Sequence, residues 1–98
     1  MKLRSYSVTC NACPHQAEGQ LEDGRYFFFW ARGFDWEVGI GDSVDDAVGS
    51  CQDRNPFASG RDMDGNLSYG NAPEKALAIV EAVCSVLDIS SKDTKNRR

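Results

Sequence analysis

The chain has 98 residues, of which 41% are hydrophobic and 10% aromatic, and its formal net charge is −4. That is one domain's worth of chain, apolar enough to fold without metals or disulfides and too rich in hydrophobic residues for wholesale disorder. No run of about 18 apolar residues exists, so no membrane span is expected.

The N-terminus, Met1-Lys2-Leu3-Arg4-Ser5-Tyr6, has charge but no apolar stretch behind it, so no secretory signal is expected. A cytosolic, reducing setting follows, in which the four cysteines are thiols. An even cysteine count in a short chain is also what a secreted, disulfide-bearing domain shows.

Residues 5–10, Ser-Tyr-Ser-Val-Thr-Cys, alternate and favour β structure, which predicts a first strand. Residues 16–22 are a weaker second candidate. Asp23-Gly24 is a two-residue hairpin signal, and it leads into Arg25-Tyr26-Phe27-Phe28-Phe29-Trp30-Ala31-Arg32, the clearest strand of the chain. Gly33-Phe34-Asp35 turns the chain into Trp36–Ile40, whose Trp36, Val38 and Ile40 share a face assigned to the core. These segments predict an antiparallel meander of three or four strands in an α+β domain. In the aromatic strand, Tyr26, Phe28, Trp30 and Arg32 point one way, and Phe27, Phe29 and Ala31 the other. Either helices cover both sides, or one face is left for a partner.

Ser43 and Asp46 fit a capping box that opens a short helix over 44–52, with Val44, Ala47, Val48 and Cys51 on one face. Asp45 and Asp46 lie in its first turn, where acids favour the helix dipole. Residues 53–71 read as a long loop, with a short strand or hairpin about 63–69 that turns at Asp64-Gly65. A helix over 73–88 is capped by Asn71, with Pro73 and Glu74 in its first turn. Its polar stripe is Glu74, Ala78, Glu81, Ser85 and Asp88, and the remaining face is apolar enough to demand a sheet beneath it. Residues 1–90 thus form a single domain, and 91–98 are expected to be a disordered tail.

The most metal-like feature is Cys10-Asn11-Ala12-Cys13-Pro14-His15, half of a zinc site by spacing. Completing four ligands would require Cys51 or Cys84, both on helical faces assigned to the core. A zinc-stabilised module on Cys10, Cys13 and His15 is therefore the alternative reading, and no cofactor the leading one. A redox role for Cys10 and Cys13 lacks the helix that such a motif normally opens. Asp62-Met63-Asp64-Gly65-Asn66 has its glycine one place too early for a calcium loop and Pro73 where a bidentate Glu is needed, so it reads as a tight turn. No complete set of catalytic residues exists, and the expectation is a protein that is not an enzyme.

Charge is unevenly spread. Residues 35–64 hold eight acids, Asp35, Glu37, Asp42, Asp45, Asp46, Asp53, Asp62 and Asp64, against Arg54 and Arg61. Phosphate would be repelled there and a basic protein surface attracted, so direct nucleic-acid binding is not expected. Tyr26, Trp30 and Trp36 as aromatic anchors, with Asp35, Glu37, Asp42, Asp45 and Asp46 beside them, make the candidate partner-binding set. In size, in the acid-rich 35–64 segment and in a short meander such as Tyr26–Ile40 backed by the 73–88 helix, the chain resembles the small phage-encoded anti-CRISPR inhibitors. That resemblance implies an inhibitor which occupies a basic nucleic-acid channel or subunit surface of a CRISPR effector complex, in the manner of a nucleic-acid mimic. A fainter likeness, carried by a meander leading into Asp42-Ser43-Val44-Asp45-Asp46-Ala47, is to antitoxin folds of the partial double-stranded-RNA-binding kind, whose usual DNA-binding extension is missing here.

Overall fold

Seven residues, Tyr26–Arg32, organise the molecule, because their pleat sends one aromatic set to each side of a sheet. A computed structural model describes residues 2–12 and 14–96, with side chains as far as Leu87. The elements in chain order are β1 (Ser7–Cys10), β2 (His15–Gln20), β3 (Tyr26–Arg32), β4 (Asp35–Gly41), α1 (Val44–Gln52), β5 (Ala58–Arg61) and α2 (Pro73–Asn96). The five strands form one antiparallel sheet in the order β1-β2-β3-β4-β5, so each strand pairs with its neighbours in sequence. The domain is α+β, as its sequence pattern predicts. The polar tail expected over 91–98 lies outside the described side chains, and Arg97 and Arg98 lie outside the described residues altogether.

On one side of the sheet, Phe27, Phe29 and Ala31 stand opposite Ile40, Val38 and Trp36 of β4. Phe27 and Phe29 are fully buried there with Ala17, Leu21, Leu67 and the α2 residues Ala76, Val80, Val83, Cys84 and Leu87. Burying each phenylalanine contributes about 1.5–3 kcal/mol, so this pair anchors the core. Of the apolar α2 residues, Val86 is half exposed, facing away from the sheet with Ala82 and Ser85.

The opposite side is covered by α1, which folds back across β4 and touches β3. Two glycines allow this. A Cβ at Gly39 would run into the Ala47 carbonyl, and one at Gly41 would meet Asp46 and the Ala47 backbone. The helix therefore rests directly on bare strand, with Ala47 fully buried at the contact. Ser43 caps α1 as expected, its hydroxyl accepting the Asp46 N–H.

Two expectations are corrected. The extra strand is Ala58–Arg61 rather than 63–69, which is a series of turns. Asp62 causes this: one carboxylate oxygen accepts the Leu67 N–H at 2.9 Å and the other takes Lys75 Nζ, closing the segment into a loop. At the start of α2, the Ala76 N–H donates to the Ala72 carbonyl, which puts the cap at Ala72 instead of Asn71.

Candidate functional site

Register decides which predicted site residues meet. Tyr26 and Trp30 leave β3 on the α1 side, where Tyr26 faces Gly41 and Trp30 faces Glu37 across the ladder. Four residue steps along the strand separate them, about 13 Å. The acids divide in the same way. Asp42, Asp45 and Asp46 cluster, exposed, at the start of α1 near Tyr26, while Asp35 and Glu37 lie at the far end of β4 near Trp30. The predicted single patch is thus two patches on one side of the sheet, with α1 running between them.

Two depressions meet at the Trp30 end. On one side of the half-buried indole is a cavity of about 210 Å³ lined by Gln16, Phe28, Trp30, Val48, Cys51 and Gln52. On the other is a broader depression of about 540 Å³ that includes Trp36, Asp35, Glu37, Arg54 and Arg61. Trp36 leaves β4 on the core side and lays its ring across Gly60 of β5, where no side chain obstructs it. It reaches the depression from the opposite face to Trp30, which the pleat dictates and residue type alone does not reveal.

Asp35 is 3.5 Å from Arg61, an exposed pair worth little. Glu37 has no ion-pair or hydrogen-bond partner among the described residues. Its charge is felt in the cavity: burial first, and the Glu37 carboxylate second, push the Cys51 thiol up to about 11. Cys51 is accordingly a neutral, unreactive wall of the cavity at physiological pH.

The Cys10–His15 segment does not converge in its described part. His15 is fully buried, edge-on to Phe29, with Nδ1 2.8 Å from the Asn11 carbonyl oxygen and Nε2 without a partner. Cys10 pairs with Gln16 and so shares its side of the sheet, opposite to His15. Cys13 lies outside the described residues. Among the described residues no group of three or more His, Cys, Asp or Glu side chains is placed to hold a metal ion, and no helix is long and apolar enough to cross a membrane.

Gln16, Val48, Cys51 and Gln52 as cavity residues escaped the sequence reading. The signal that finds them is the β2–β3 register, Gln16 opposite Trp30, combined with the helical face Val48–Cys51. Comparison with family models, curated proteins and solved structures gives no match for this chain.

Proposed function

We propose that this chain is a non-enzymatic binding protein which docks the α1 side of its sheet on a basic surface of a partner protein. The observation that carries the reading is the company of Trp30: a half-buried indole between two depressions, with the unpaired carboxylate of Glu37 directly across the ladder. Interfaces concentrate their energy in such aromatic anchors, and surrounding acids attract a basic partner and set its orientation. Asp42, Asp45 and Asp46 extend the negative border along the same side of the molecule. Within this reading, the inhibitor class that the sequence resembles supplies the partner: a nucleic-acid-binding surface of a host defence complex of the CRISPR type.

The test is capture of the partner from host lysate by the immobilised chain at about 50 mM and about 500 mM salt, beside a variant carrying Asp42→Lys, Asp45→Lys and Asp46→Lys. Binding that falls about 10-fold or more in high salt, and equally in the variant, is the expected result. A partner retained equally by both proteins in both salts contradicts the electrostatic reading. Protection of a CRISPR-targeted phage by the expressed chain, lost in the same variant, is the outcome expected for the inhibitor class.

A further inference from the structure

The smaller cavity beside Trp30 is neutral, although it sits in an acidic surface. Phe28, Trp30, Val48 and the half-buried thiol of Cys51 wall it, and the side-chain amides of Gln16 and Gln52 complete the lining. Gln16 comes from β2, opposite Trp30 in the ladder, and Gln52 from the last turn of α1. Neither amide makes a hydrogen bond among the described residues. The charged groups of this end, Asp35, Glu37, Arg54 and Arg61, all lie in the depression on the other side of the indole.

Three properties narrow what the cavity can hold. Size comes first: about 210 Å³ is below the roughly 300 Å³ at which pockets for whole ligands begin, and it suits a single side chain. Charge comes second. A cation would find no carboxylate inside to pair with, and burying it unpaired is costly. An anion fares no better, since burial and the Glu37 carboxylate already keep the Cys51 thiol neutral. Hydrogen bonding comes third, because a purely apolar group would strip water from two amides and give nothing back. A phenol meets all three conditions. Its hydroxyl can donate to one amide carbonyl and accept from the N–H of the other, and its ring matches aromatic walls.

We infer that this cavity receives a tyrosine side chain of the partner, its ring against Phe28 and Trp30 and its hydroxyl between the amides of Gln16 and Gln52. This rests on the reading that the α1 side meets a protein, and it names the residue that enters. The charged border steers the partner, and a neutral aromatic anchor inside it holds the complex. A nucleobase also offers a flat ring and a polar edge, but its strand would bring phosphates toward Asp35 and Glu37.

The probe is N-acetyl-tyrosine amide, titrated into isotopically labelled protein at about 50 mM and about 500 mM salt. N-acetyl-phenylalanine amide, N-acetyl-arginine amide and adenosine are titrated beside it. Readouts are the two indole N–H signals and the glutamine side-chain amides. Saturable shifts are expected at the Trp30 indole, Gln16 and Gln52, larger than at the Trp36 indole. Tyrosine should bind about 5-fold tighter than phenylalanine, with the same affinity in both salts. Gln16→Ala combined with Gln52→Ala should lower the tyrosine amide to the level of the phenylalanine amide, whose own binding shows that the variant is folded. Equal affinity for tyrosine and phenylalanine in the parent, tighter binding of arginine or adenosine, or a tyrosine preference that survives loss of both amides would each overturn the assignment. A hexalysine titration separates the two levels. If hexalysine binds and Asp42→Lys, Asp45→Lys and Asp46→Lys abolish it, while the tyrosine amide leaves Trp30 unmoved, the cavity assignment alone fails. Tyrosine binding by a protein that hexalysine leaves untouched supports the cavity and removes the basic-surface reading alone.

Discussion

Asp62 is the one acid of the 35–64 segment that the fold takes inside, with 3% of its surface exposed. The hydrogen bond from Lys75, and after it the one from the Leu67 N–H, hold its carboxyl below the usual carboxylate range. The sign of the pH effect follows. A lowered folded value gives stability that is complete above the unfolded value of about 4 and is lost as pH falls through the folded one. Asp62→Asn should therefore cost about 1 kcal/mol at neutral pH, since the Lys75 end is half exposed and screened. It should also lose less stability than the parent between about pH 4 and pH 2 in denaturant titrations. Parallel acid limbs for the two proteins would show that Asp62 contributes nothing to acid unfolding. A charge count gives all eight acids equal weight, and only the tertiary contact to Lys75 reveals which one is structural. The same holds for His15: its spacing from Cys10 suggests a ligand, yet strand alternation turns it into the core against Phe29.

At the scale of elements, legibility followed the strength of local patterning. Strands β3 and β4, the Ser43 cap and the amphipathic start of α2 are all visible in residue order, because each is fixed by alternation, helical periodicity or a capping side chain. Strand β5 is not. Ala58-Ser59-Gly60-Arg61 has no β-branched or aromatic residue and follows Pro56, so propensity gives no reason to pair it. It becomes a strand because β4 offers a free edge and the Trp36 ring needs the bare backbone of Gly60 beneath it. Gly39 and Gly41 carry no local signal of their role, which is to admit α1 to the sheet. Gly39→Ala is expected to destabilise the domain by about 1–3 kcal/mol, because the new methyl meets the Ala47 backbone, which cannot rotate away. Thermal unfolding measures this. An unchanged midpoint would mean that α1 is not seated as described.

For the whole molecule, the two layers of helix answer the question that the doubly aromatic strand raised. Helix α2 covers one face, and α1 covers only the middle of the other, leaving Trp30 and Glu37 at one end and Tyr26 with Asp42, Asp45 and Asp46 at the other. The residue types of this candidate face could be read from sequence, since the aromatics cluster in 26–36 and the acids in 35–64. Their division into two patches could not, because it depends on which side each pleat presents and on where α1 crosses.

The α1 side of the sheet is the side proposed to meet the partner, and carboxyl-group labelling of the chain alone and in complex tests this most directly. Protection of Glu37, Asp42, Asp45 and Asp46, with Glu74 and Glu81 of α2 labelled as in the free chain, is the predicted pattern. Protection confined to Glu74 and Glu81, with the α1 side still labelled, would contradict it.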